Sequence, residues 1–453
     1  MKLYEIIKAL QNATGINAKR DILAQHKDNE LLKQYMKATY DPAINYYITK
    51  VPEFVLSCGE KHKEEFSETD IQLVIENLAQ RFVTGKAAKK WLEEFADAQN
   101  MEGHELLTYL IKVSICAGVG ETLVLDNWPD LFFIPPYQRC SLMDEKIKNK
   151  FKGMPFFYVQ TKLDGTFCYL EKSADGIRAI TRAGSLYPQW FADRFARGFD
   201  SGVLVGELEV YKWGMSDPDG SGDWFLLDRK TGNGILNSVL QGGDESEFKD
   251  YLFKHTSWDW LTNEEFKAGK SGRELGKRFV TLSNMLLNAP HYLGIVDNWQ
   301  VTSLADAYKI YSEHTAKGLE GCVIKAPDSL WKDGTAKDIV KLKIKFEAEY
   351  EVIGMTEGTG KYKGMMGSLT IVTSDKLLVS DLGTGFSDDQ RKEFWANAPE
   401  IVTVSANDVI SKRTDGIKSL FLPAFEEARW DKTEADSLER VIAQLEAAKN
   451  GQN

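Results

Sequence analysis

The sequence contains no apolar run approaching the roughly 18 residues of a membrane span, so no membrane association is expected. It also has no low-complexity tract and no internal repeat; with 43% hydrophobic and 27% charged residues, wholesale disorder is excluded. Cysteine is scarce. Cys58, Cys116, Cys140, Cys168 and Cys322 are odd in number and scattered, without a C-x-x-C pair. That argues against a disulfide framework or a zinc ribbon and points to a reducing cytoplasm. The opening MKLYEIIKALQNATG has helical spacing but no h-region or cleavage site, so no secretory leader is expected. The six histidines (His26, His62, His104, His255, His291 and His314) lack metal-ligand spacing and are assigned no role. Basic residues number 56 against 67 acidic, and the net charge of −11 argues at first against a nucleic-acid partner.

A length of 453 residues predicts about three domains. Residues 1 to about 130 read as a bundle of short helices, with Leu3, Ile6, Ile7 and Leu10 on one face and Ile71, Val74, Ile75 and Leu78 on another. Pro135-Pro136 and the charged run DEKIKNKFKG give 134–155 the look of a connector. From Phe156 the period changes to two. Short alternating runs punctuated by Asp164-Gly165 and Asp175-Gly176 predict antiparallel strands, as do GVLVGELEVY and EGCVIKAP. TSLADAYKIYSEHTAKG is helical, with Leu304, Tyr308 and Tyr311 on one face, so the region to 347 is mixed α+β. Beyond it, short strands with glycine turns suggest a small β-barrel, followed by a terminal helix with Asp436 as N-cap and Leu438, Val441, Ile442 and Leu445 as its face.

The chemistry centres on Lys162-Leu163-Asp164-Gly165. Alone, K-x-D-G is satisfied by a surface lysine beside a turn. Its company gives it meaning: Gly206-Glu207-Leu208 ends an apolar strand, Glu320 and Lys325 stand at the two ends of another, and Lys341 and Lys343 share one face of a third. Arg429-Trp430-Asp431-Lys432 closes the series. Lysines and glutamates ending several strands suit nucleotidyl transfer, in which a lysine amine attacks the α-phosphate of a nucleoside triphosphate and expels pyrophosphate. A free lysine is neutral in about one molecule in a thousand near pH 7.4, so producing the nucleophile costs about 4 kcal/mol. Neighbouring cations ease that cost and also neutralise charge developing on the phosphate.

This ordered set resembles the covalent nucleotidyltransferase superfamily of ATP-dependent DNA ligases, RNA ligases and capping enzymes, and within it the compact ATP-dependent DNA ligases of the T-even bacteriophage type. The similarity runs from DNELLKQYMKATYDPAINYYITKVP to RWDKT. It implies an all-α N-terminal DNA-binding domain (1–133), an α+β nucleotidyltransferase (adenylation) domain with antiparallel sheets (134–347), and a C-terminal OB-fold β-barrel with a terminal helix (348–453). By the same resemblance Lys162 is the nucleophile that becomes lysyl-AMP. Gln160 reads the adenine amino group, Trp258 stacks on the ring, and Thr161 joins the nucleotide-binding set. Arg182 of TRAG contacts phosphate, Lys325, Lys341 and Lys343 hold the α-phosphate, and Glu207 and Glu320 are the metal-linked carboxylates, Glu207 also serving the ribose. Arg429, Asp431 and Lys432 meet the pyrophosphate when the last domain closes. Two departures stand out. Phe167 occupies the sixth position of K-x-D-G-x-R, which Arg182 or Arg229 could cover, and Val205 replaces the acid before Gly206-Glu207.

The resemblance implies a monomer in the (host) cytoplasm that uses ATP and Mg²⁺ to seal 5′-phosphate/3′-hydroxyl nicks in duplex DNA. The alternatives are an RNA ligase or capping-type guanylyltransferase, and a DNA-binding scaffold impaired in catalysis. The charge distribution accommodates DNA after all. Residues 201–250 hold 4 basic and 10 acidic side chains, residues 1–150 hold 19 and 22, and 81–90, 341–345 and 411–418 are basic. An acidic patch turned outward and sequence-independent, salt-sensitive phosphate contacts are expected.

Overall fold

The computed structural model describes residues 1–48, 65–215, 222–342, 345–411 and 417–449. Cys58, His62, Lys343 and most of the basic run 411–418 lie outside the described residues. Within 1–133 the described chain forms α-helices from Leu3–Asn12 to Glu121–Asn127 and one π-helical turn, with no strand. Most of the expected faces are buried: Ile6, Ile7, Leu10 and Val74 are fully enclosed, Leu3, Ile71 and Leu78 nearly so, and Ile75 only partly. Side-chain caps start these helices where the sequence supplies them. Asn29 accepts from Leu32 N–H at 2.9 Å, and Ser67 forms a capping box with Asp70.

Residues 134–155 are not a bare connector. Strand Gln138–Leu142 and helix Glu145–Lys152 occupy them, the helix capped by Asp144 and burying Ile147 and Phe151. The charged run hid this helix, because its apolar face is only two residues wide. Two sheets follow. One has the order 138–142, 334–342, 322–325, 157–161, 298–301; the other has 176–181, 166–173, 202–215, 251–261, 293–295, with Gly222–Leu226 pairing the far end of 202–215. Most neighbours are antiparallel, but Gln138–Leu142 runs parallel to Gly334–Leu342, and Leu293–Ile295 parallel to Tyr251–Leu261. The two sheets meet at the K-x-D-G turn, since Phe157–Thr161 belongs to one and Thr166–Ser173 to the other.

The last region holds a five-stranded antiparallel sheet in the order 379–382, 366–372, 346–357, 401–406, 424–428, and a separate hairpin of 408–411 with 418–421. Among the described residues its hydrogen bonding does not close into a barrel, so the expected OB barrel is an open, OB-like sheet. The apolar core beneath it is continuous with that of the first sheet, joining Phe157, Ile324 and Val340 to Phe346, Tyr350 and Leu369. The terminal helix Leu438–Lys449 buries Val441 and Leu445, whereas Ile442 is exposed. Asp436 does not cap it. Its carboxylate accepts from Glu349 N–H at 2.9 Å, while Asp375 accepts from Leu438 N–H at 2.9 Å and Ser437 from Arg440 N–H at 3.3 Å. No helix among the described residues is long and apolar enough to cross a membrane.

Candidate active site

Lys162 stands where strand Phe157–Thr161 leaves its sheet. Thr161 lies opposite Cys322 in the antiparallel register, which carries Glu320 and Gly321 past the end of the strand to the lysine. Lys162 N–H donates to the Gly321 carbonyl at 2.9 Å, and its Nζ is ion-paired with Glu320. Two chain segments 158 positions apart thus place an amine beside a carboxylate.

The glycines of the motifs serve close approach. A Cβ on Gly165 would sit 2.3 Å from the Leu208 carbonyl oxygen, and one on Gly206 would sit 2.2 Å from that of Thr256. With neither present, the turn packs against the Glu207 strand, and Gly165 N–H donates to Glu207 Oε2 at 2.8 Å. Burial pushes the Glu207 carboxyl up to about 7, opposed by this hydrogen bond and by Lys162.

Trp258 owes its direction to a β-bulge. Pairing between strands Gly202–Met215 and Tyr251–Leu261 shifts from Val205–Asp259 to Gly206–Ser257, leaving Trp258 as the extra residue. Lys325 Nζ lies 5.8 Å from the Trp258 ring centroid. Lys325 is 5% exposed, and burial lowers its amine to about 8 against the opposing pull of Asp259. Asp259 is in turn held by Arg278 through two 2.8 Å hydrogen bonds.

Gln160, Thr161, Lys162, Arg182, Glu207, Trp258, Lys325 and Lys341 all line one cavity of about 620 Å³. The lysines converge: the Cys140 thiol, raised by burial, is opposed by Lys325, Lys341 and Lys162 together. Gln160 is 2% exposed, and neither of its amide atoms has a protein partner. Glu320 reaches the site through Lys162. Arg429, Asp431 and Lys432 do not line the cavity. Arg429 pairs with Asp431 at 2.7 Å, and both Arg429 and Lys432 are bound to Glu349.

Phe167 packs edge-on against Tyr137 and Tyr169, at 4.9 and 4.6 Å, and lies 5.8 Å from Trp258. Arg182 rests over the Tyr137 ring at 4.6 Å, and Arg229 Nη1 donates to Asp164 Oδ1 at 2.8 Å. Both arginines line the same cavity as Phe167. Tyr137 and Arg278 escaped the sequence reading. Arg278 left a signal there, because it falls at i+3 in the buried stripe Leu275, Arg278, Leu282, Leu286. Elsewhere, Lys89 and Lys90 pair with Glu93 and Glu94 at 3.9 and 3.5 Å, and Lys345 with Glu426 at 2.8 Å. In 201–250, Asp223, Asp228, Asp244, Glu245, Glu247 and Asp250 are exposed.

A strand-end lysine beside a carboxylate, on the wall of a cavity that gathers further lysines and an aromatic face, suits covalent nucleotidyl transfer. The chain matches the family models described as ATP dependent DNA ligase domain over 266–343 and DNA ligase OB-like domain over 357–413. It is 27% identical to the DNA ligases of Enterobacteria phages T4 and T6 over 97% of its length and 98% of theirs. These matches support an ATP-dependent DNA ligase of the phage type. A stretch covering 29% of the chain is 30% identical to DNA ligase 2 of Methanosarcina mazei, covering 28% of that protein. The solved structure Pmar-Lig_PreS3 shares the fold, with a TM-score of 0.60 at 18% identity over 95% of this chain and 99% of that one.

Proposed function

We propose that this ligase seals 5′-phosphate/3′-hydroxyl nicks in duplex DNA with Lys162 as its nucleophile. The Lys162 ammonium releases a proton to solvent and parts from Glu320, and the free amine attacks the α-phosphate of ATP and displaces pyrophosphate, forming a lysyl-AMP phosphoramidate. AMP then passes to the 5′-phosphate of the nick and frees the lysine. The 3′-hydroxyl attacks that phosphate and AMP leaves. The ion pair between Lys162 and Glu320, on the wall of a cavity that also holds Lys325 and Lys341, carries this reading.

In this assignment Gln160 pairs with the adenine edge, Trp258 covers its face, and Thr161 completes the nucleotide wall. Lys325, Lys341 and Lys343 meet the α-phosphate. Arg182, fixed over Tyr137, meets a phosphate on the nick side. Arg429, Asp431 and Lys432 reach the pyrophosphate when the OB-like domain closes, so binding and closure are coupled. The divisions at 133/134 and 347/348 are the proposed boundaries of the moving parts. The enzyme acts as a monomer in the cytoplasm of the host cell, and it grips DNA through phosphates, so affinity falls with salt and not with sequence.

Glu207 and Glu320 fit Mg²⁺, an ion that takes one or two protein carboxylates together with substrate phosphates. The donor set beside Lys162 is of that kind: oxygen ligands, with no cluster of three His, Cys, Asp or Glu poised to hold an ion unaided among the described residues. When bound, Mg²⁺ supplies positive charge to the phosphates.

The test is labelling with α-labelled ATP or GTP in the presence of Mg²⁺. An acid-labile adduct formed from ATP, absent in Lys162→Ala, and competent to seal nicked DNA is the expected result. Labelling from GTP, or none from either nucleotide, would overturn it.

A further inference from the structure

His314 lies in helix Leu304–Ala316, six residues before Glu320, and is 7% exposed. Its Nδ1 is 2.8 Å from the Ile310 carbonyl oxygen. A carbonyl only accepts, so Nδ1 carries the proton and Nε2 of the neutral ring is an acceptor. The Thr161 hydroxyl lies 3.0 Å from Nε2 and donates to it. The ring is braced edge-on by Trp299, with centroids 5.1 Å apart. A buried imidazole with both nitrogens engaged and its plane packed has one orientation, so it fixes the Thr161 side chain.

Thr161 precedes Lys162. The same histidine also governs the other half of the ion pair. Its backbone carbonyl accepts from Lys317 N–H at 3.1 Å and Leu319 N–H at 3.0 Å, shaping the turn that delivers Glu320. His314 therefore touches both segments whose ends form the Lys162–Glu320 pair, one through its ring and one through its backbone.

We propose that His314 is a positioning residue for the nucleophile: through Thr161 it sets where Lys162 stands relative to Glu320 and the incoming α-phosphate. The inference rests on Lys162 being the nucleophile. Attack requires the amine within about 3–3.5 Å of phosphorus and in line with the leaving group, and a displacement of about 1 Å can cost on the order of a hundredfold. His314 does not itself line the cavity, and Thr161 is the cavity residue it bonds, so loss of the ring should weigh more on the position of the amine than on ATP binding.

The experiment is single-turnover formation of the enzyme adenylate at varied ATP, using the full chain. His314→Ala is expected to lower the saturating rate by about tenfold or more, within the range for misplaced reacting groups. The ATP concentration at half-saturation should move less than about twofold, as for loss of an interaction made only on the way to the transition state. Gln places an amide oxygen near the position of Nε2, so His314→Gln should recover most of the rate. Thr161→Val should show the same loss of saturating rate as His314→Ala, and the double variant should be no slower than either, since both remove one interaction. Sealing of a nick already carrying AMP does not use the Lys162 amine, and its rate reports whether the rest of the enzyme is intact. A wild-type adenylation rate in His314→Ala, a loss confined to half-saturation, or multiplying effects in the double variant would overturn the proposal. If His314→Ala does not fold, Thr161→Val decides it, and a wild-type saturating rate in that variant would overturn the proposal. Adduct formation persisting in Lys162→Ala would instead sink the underlying assignment of the nucleophile.

Discussion

Arg278 and Asp259 form a two-pronged ion pair in the interior, with side chains 0% and 3% exposed and both N···O distances at 2.8 Å. Arg278 also donates to the carbonyls of Arg273 and Ser329. The pair sits directly behind Trp258 and Lys325, so it underpins the cavity wall without lining it on the arginine side. Breaking one side of a buried pair strands the other charge. Arg278→Met should therefore destabilise the protein by about 3–5 kcal/mol. Denaturant unfolding checks this, and Arg278→Met with Asp259→Leu should recover much of the loss.

Gln160 is a buried amide with no protein partner for its oxygen or its nitrogen. Such a group is costly in the empty protein and is satisfied by a ligand edge that offers both a donor and an acceptor. Gln160→Met should leave stability unchanged or raise it, while weakening ATP binding by about 1–3 kcal/mol. Preference for ATP over GTP should shrink with it. Thermal unfolding and nucleotide titration, run side by side, separate the two effects; a variant that lost stability and kept its affinity would exclude Gln160 as the adenine reader.

Two shifted groups predict a bell-shaped pH profile for adenylation. The Glu207 carboxyl is raised to about 7, so it becomes an anion only as pH climbs through that value. The Lys325 amine is lowered to about 8, so its positive charge disappears as pH passes above that value. If the carboxylate and the ammonium are both required, kcat/KM for ATP should rise through about 7 and fall beyond about 8. Glu207→Gln should remove the acid limb, and Lys325→Arg should push the alkaline limb upward. Stability follows the same groups. The raised Glu207 contributes stability that is full below the unfolded carboxyl range and is lost as pH rises through about 7, whereas the lowered Lys325 contributes stability that is lost as pH falls through about 8.

Arg429 and Lys432 are both tied to Glu349 within the OB-like region and stand apart from the cavity. If they serve only the step that expels pyrophosphate, Arg429→Ala should slow adenylation by about a hundredfold, the scale of losing one charged stabiliser of the transition state. Sealing of a pre-adenylated nick should change little. Single-turnover assays of the two steps test this, and equal loss in both would show that these residues act on DNA and not on the triphosphate.

Much of the site was legible because strand chemistry is local. Period-two alternation predicted that Lys341 and Lys325 end or ride on strands, whereas Glu207, expected at the end of an apolar strand, lies within Gly202–Met215, which continues past it. Helical spacing likewise predicted the buried faces Leu3–Leu10 and Ile71–Leu78. The helix Glu145–Lys152 was missed because six of its eight residues are polar. The cap of the last helix was misplaced because Asp436, one residue early, is drawn to the Glu349 amide by a contact that no local rule contains.

What the sequence determined by itself, then, is the set of candidate groups and the order in which the chain presents them, because residue type and strand period are properties of short windows. The tertiary structure alone decided which groups meet. The pairing of Lys162 with Glu320, the bulge that turns Trp258, the grip of Arg278 on Asp259 and the reach of His314 to Thr161 all join segments distant along the chain or depend on a register between strands. Such contacts are settled by close packing and by the cost of leaving a buried polar group unpaired, and neither can be read from spacing.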